Sequence, residues 1–108
     1  MRTLENAGVR IVDAPSVATY LACHPDIAAI ATDVCRRVVQ EFGGASQVSL
    51  ELYRDPETPD RFLAVFVRQT DYQSDILNRT IAIMEEFGDR LANASGWIQV
   101  TTDFQPPR

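Results

Sequence analysis

The residues best equipped for chemistry are few. His24 is the only histidine, and it stands between Cys23 and Pro25-Asp26. Adjacent residues on a helix point in different directions, so Cys23 and His24 do not form a nucleophile–base pair. A single His near a helix start most often caps or packs. One His and two Cys are also too few for a zinc site, so no metal and no cofactor is expected. The carboxylates Glu51, Asp55, Glu57, Asp60 and Asp103 could in principle supply a paired acid/base site. No spacing singles out a pair, and the proline-bracketed acids of Asp55-Pro56-Glu57-Thr58-Pro59-Asp60 read as turn chemistry. Gly43-Gly44 lacks the following Lys-Ser/Thr of a phosphate loop and reads as a helix stop. No catalytic residue is assigned, and the chain is not expected to be an enzyme.

What remains is a set of aromatic and polar residues that strands would present together. Gln47 to Tyr53 alternates, with Val48, Leu50 and Leu52 on one face and Ser49, Glu51 and Tyr53 on the other, as in a half-buried strand. Arg61 to Gln69 is apolar on both faces, with Leu63, Val65 and Val67 opposing Phe62, Ala64 and Phe66. It should pair with the preceding strand as an antiparallel hairpin and lie nearer the sheet centre. Trp97 to Phe104 alternates again before Gln105-Pro106-Pro107 ends it. Gly8 to Asp13 is short and β-branched and reads as a first strand.

Two helical regions separate these strands. Ser16 looks like the N-cap of a brief helix, Val17 to Cys23, which His24-Pro25 interrupts. The next helix has Asp26 in its first turn, buries Ile27, Ile30, Ala31, Val34, Val38 and Phe42, and stops at Gly43-Gly44. Asp71 or Ser74 caps a second long helix to about Asn93, with Leu77, Ile81, Met84, Phe87 and Leu91 inward and Gly88 weakening it locally. The order is βαββαβ. It predicts one α+β domain over residues 1–108, a ferredoxin-like sandwich with an antiparallel sheet and both helices on one face. In that arrangement the first strand lies between the third and fourth, and the second lies at an edge.

Composition narrows the partners. With 10 Arg, no Lys and 15 Asp+Glu, the net charge is −5. That argues against direct nucleic-acid binding, which draws on cations neutralising phosphates. An all-Arg basic set follows from GC-rich coding, or from a use of Arg forks to pair carboxylates at interfaces. No apolar run approaches the roughly 20 residues of a membrane span, and the first residues lack the apolar core of a signal peptide. The expected location is the cytoplasm, with Cys23 and Cys35 as free thiols and Cys35 packed inside.

Several segments resemble a group of small bacterial proteins, many of them cyanobacterial, of about this length. They are Tyr20-Leu21 through His24-Pro25-Asp26, Leu50-Glu51-Leu52-Tyr53-Arg54-Asp55-Pro56-Glu57, Val67-Arg68-Gln69, and Gly96-Trp97 with Val100-Thr101-Thr102-Asp103-Phe104 and Pro106-Pro107. The group has no established activity. The resemblance implies a companion of neighbouring genes, such as an antitoxin or accessory subunit, and no catalytic residue.

With helices on one side, alternation leaves Glu51, Tyr53, Trp97, Gln99 and Thr101 on an open sheet face, which is the expected binding site. Its partner would be a basic protein, such as a toxin encoded nearby, or a second copy in a homodimer. Alternatively these are ordinary half-exposed strand residues, or the short helix before Pro25 folds over them. The rival function is a small-ligand sensor or small enzyme, with a site between sheet face and hairpin loop lined by Glu51, Arg68 and Asp103.

Overall fold

The computed structural model describes residues 2–108. Its four strands are β1 (Val9–Ile11), β2 (Ser46–Arg54), β3 (Arg61–Gln69) and β4 (Ile98–Thr101). The five helices are α1 (Arg2–Asn6), α2 (Ala14–Cys23), α3 (Pro25–Phe42), α4 (Ile76–Glu86) and α5 (Gly88–Ala92). The chain is α+β, and all four strands form one sheet in the order β1-β2-β3-β4. No helix among the described residues is long and apolar enough to cross a membrane.

The sheet is mixed, which corrects the antiparallel ferredoxin-like expectation. β2 and β3 are antiparallel, but β1 runs parallel to β2 and β4 runs parallel to β3. β1 is therefore an edge strand on the far side of β2, and β2 is central. The hairpin accounts for this. β3 pairs with β2 along its whole length and with β4 on its other side, so no edge of β3 is free for β1. Each helical crossover then returns the chain to a position beside the strand it left, as parallel connections commonly do. The two outer strands are short, a common way to limit exposed edges.

One face of the sheet carries the core. Val9, Val48, Leu50, Leu63, Val65, Val67, Ile98 and Val100 are buried in one cluster with Val17, Tyr20, Ile27, Ile30, Val34 and Val38 of α2 and α3, and with Ile76 and Ile83 of α4. These strand positions alternate along the chain, so the helices lie on a single side of the sheet. Ion pairs close the outer layer: Arg37 and Arg79 reach Glu86 and Glu41 at 2.9 and 2.7 Å, and Arg90 reaches Asp33 at 2.8 Å.

Element boundaries differ from expectation for local reasons. α1 has no counterpart in the pattern reading; it places Leu4 in the core, and Gly8, at φ +98°, turns the chain from it into β1. Helix α2 starts at Ala14 rather than Val17. Asp13 adopts the left-handed conformation at the junction, Pro15 occupies the first turn where its missing N–H costs nothing, and Ser16 Oγ donates back to Asp13 Oδ2 at 2.6 Å. The predicted long C-terminal helix is two helices, broken at Phe87 just before Gly88. Its first half also buries a different stripe, since Leu77 and Ile81 are exposed while Ile76, Thr80 and Ile83 face the core; Phe87 and Leu91 are buried as expected and Met84 packs against the core. Thr80 concealed that stripe; its hydroxyl is satisfied by the Leu77 carbonyl at 2.8 Å. β4 stops at Thr101, after which Asp103 and Thr102 side chains accept from the Gln105 and Phe104 amides and turn the chain.

Candidate functional site

The strand register arranges the uncovered face as a grid. Tyr53 opposes Phe62, Glu51 opposes Ala64 and Ser49 opposes Phe66; Gln99 and Thr101 lie beside Ala64 and Phe66 on β4. Glu51, Tyr53, Gln99 and Thr101 therefore share this face, and Trp97, one alternation before Gln99, extends it. Helix α2 does not fold over them. It packs on the opposite side, where Val17 and Tyr20 join the core.

The two ends of the face differ. At the hairpin end, Tyr53 and Trp97 are 41% and 40% exposed, and the Tyr53 and Phe62 rings stack with centroids 4.8 Å apart. Trp97 Nε1 donates to Gln99 Oε1 at 3.0 Å, and the Trp97 amide donates to Tyr20 Oη at 3.0 Å. The indole is thus held by Gln99 of β4, and the Trp97 backbone by Tyr20 of α2. Phe62 completes a row of three aromatic residues, and only its opposition to Tyr53 singles it out from Phe66.

The other end is closed by the C-terminal segment. Arg68 is 1% exposed. Its guanidinium donates to Ser49 Oγ and Glu51 Oε2 at 2.9 and 3.0 Å and to both oxygens of Asp103 at 3.0–3.3 Å, and it lies 4.6 Å from the Phe66 ring centre. Burial works against its charge, but the hydrogen bonds to Asp103 and then Glu51 outweigh that and raise its pKa. The same contact with Arg68 holds the Asp103 carboxyl below its ordinary range. Beyond Asp103, the Arg108 amide and carbonyl bond Gln47 at 2.9 and 2.6 Å, and Arg10 donates to the same carbonyl at 3.1 Å. Glu51, Arg68 and Asp103 do come together, but as a closed ionic brace for the tail. Its buried cation is already paired with Ser49, Glu51 and Asp103.

A ligand-sized opening lies on the helix side of the hairpin. A cleft of about 490 Å³ runs between α2 and the hairpin, with Ser16, Thr19, Tyr20 and His24 on one wall and Arg54 and Arg61 on the other. Outside the cleft lining, Ser95 donates its hydroxyl to Asp26 Oδ1 at 2.6 Å and its amide to Asp26 Oδ2 at 2.6 Å, and its hydroxyl oxygen pairs with His24 Nδ1 at 3.0 Å. The Ser95 contacts hold the Asp26 carboxyl below its usual range. A catalytic serine would need the histidine between it and the acid. Here the serine is in the middle, so the trio is a lock between the start of α3 and the turn before β4. Spacing alone could not link residues 69 apart. Among the described residues no group of three or more His, Cys, Asp or Glu side chains could hold a metal ion.

No family model, curated protein or solved structure matches this chain. The resemblance expected from the sequence therefore lends no residue a role.

Proposed function

We propose that the protein is a small protein-binding module that docks a basic partner on the hairpin end of its open sheet face, in the manner of an antitoxin or accessory subunit. The observation that carries this reading is the row Tyr53, Phe62 and Trp97, which crosses the sheet at the end the C-terminal tail leaves bare. Aromatic side chains bury large areas at little entropic cost, and they are enriched where proteins meet. Glu51 borders the row but is tied to Arg68, while Asp55 and Glu57 follow the row in the hairpin loop. Together with the net charge of −5 they would steer a positively charged surface toward it. A toxin with a basic nucleic-acid groove has that surface. The free thiols of Cys23 and Cys35 fit work in a reducing cytoplasm.

The test is co-purification with the basic product of an adjacent gene, followed by titration. A stoichiometric complex is expected, weakened by salt, and weakened roughly 30-fold or more when Tyr53→Ala and Trp97→Ala are combined, as for central hot-spot residues. Light scattering at several concentrations separates a foreign partner from a second copy. A monomer whose double variant binds that product as tightly as the wild type would refute the reading.

A further inference from the structure

The cleft behind the hairpin is lined by two exposed arginines, Arg54 and Arg61, that lie on neighbouring strands. Arg54 and Arg61 are direct cross-strand partners, and by alternation both share the helix-side face with Leu52 and Leu63. Like charges placed opposite each other on a sheet destabilise it. Elsewhere Arg37, Arg68, Arg79 and Arg90 each hold a carboxylate at 2.7 to 3.0 Å. Among the described residues no carboxylate pairs with Arg54 or Arg61, although Asp60 lines the same cleft.

We propose that this cleft binds a small phosphate monoester, its phosphate held by the Arg54 and Arg61 guanidiniums and its organic group lying against Leu52 and the Tyr20 and His24 rings. The charge selects the ligand class. Two adjacent guanidiniums match a phosphate, which carries roughly −1.5 to −2 at neutral pH and presents three acceptor oxygens, better than a singly charged carboxylate with two, even with Asp60 in the lining. The wall selects for an organic body. Tyr20 and His24 stack with ring centres 4.5 Å apart, and a volume near 490 Å³ exceeds what bare phosphate fills. The hydroxyls of Ser16 and Thr19 line the cleft but already donate to Asp13 and to the Pro15 carbonyl at 2.6 and 2.9 Å, so the arginines carry the recognition. This site lies on the opposite face of the hairpin from the aromatic row and stands independently of it.

The full chain should be titrated with phenyl phosphate, inorganic phosphate and benzoate while backbone amide NMR shifts are followed. Phenyl phosphate should give saturable shifts confined to residues 15–24 and 52–61, with inorganic phosphate weaker and benzoate weaker by about tenfold or more. Arg54→Gln and Arg61→Gln should each lower phenyl phosphate affinity about tenfold or more, whereas Arg36→Gln on the outer face of α3 should leave it unchanged. Without ligand, the Arg54→Gln and Arg61→Gln variants should melt no lower than wild type, because each relieves a like-charge pair. Absent or scattered shifts, equal binding of benzoate, wild-type affinity in both variants, or a lowered Tm in both would each overturn the proposal.

Discussion

Gly96 has no room for a side chain. A Cβ there would lie 2.6 Å from Tyr20 Oη, 3.0 Å from His24 Cγ and 3.1 Å from Ile27 Cγ1. Gly96→Ala must push back the tyrosine that holds Trp97, and denaturant unfolding should register a loss of about 1–3 kcal/mol. Burial makes a second residue-level contrast. Cys23 is exposed and Cys35 is buried, and burial pushes the Cys35 thiol up to about 12. A thiol reagent at neutral pH should modify Cys23 and leave Cys35 intact in the native protein. The folded pKa of Cys35 is raised above the unfolded value, so its neutral form contributes stability in full below the ordinary thiol range. That contribution is lost as pH rises toward 12, and Cys35→Ala should flatten the alkaline decline in Tm.

At the scale of elements, α4 separates the two possible apolar stripes. Ile76 and Ile83 are 2% and 1% exposed, whereas Leu77 and Ile81 are 45% and 54% exposed. Ile83→Ala should cost about 2–5 kcal/mol by leaving a cavity. Leu77→Gln and Ile81→Gln should stay within about 0.5 kcal/mol of wild type. Thermal or urea unfolding of the three variants decides the matter, and the opposite ranking would restore the stripe that the sequence pattern suggested. The helix break at Phe87 belongs to this scale too. Gly88 marked the weak point, but whether it bends or ends a helix depends on Phe87 and Leu91, which turn into the core.

Across the whole molecule, distant segments are tied by acidic side chains at a few points. Asp103 joins the tail to Arg68 of β3, Asp26 joins α3 to the turn before β4, and Glu41 joins α3 to Arg79 of α4. Arg68, Ser95 and Arg79 respectively hold these three carboxyls below their ordinary range. Their folded pKa values are lowered, so the stability they contribute is present above the usual carboxylate range. It is lost as pH falls through the lowered values. A Tm profile should fall on acidification below about pH 4, and Asp103→Asn should lower the neutral Tm while flattening that fall. A profile unchanged by Asp103→Asn would show that the tail brace contributes nothing to folding.

The amino-acid order by itself determined the local periods: which segments are strands, which residues share a sheet face, and that α3 buries Ile27 through Phe42. Period two assigns Glu51, Tyr53, Gln99 and Thr101 to one side whatever strand lies next door, because side-chain alternation is a property of a single strand. Strand order is different. It depends on which edge of the hairpin each crossover reaches, and the same faces would have suited the ferredoxin-like arrangement. Only the tertiary structure decided that β1 sits outside β2, that Arg68 is sealed by Asp103 at the far end of the chain, and that Arg54 and Arg61 face a cleft with α2. Those contacts join residues tens of positions apart, and hydrophobic spacing carries no information about which distant polar groups meet.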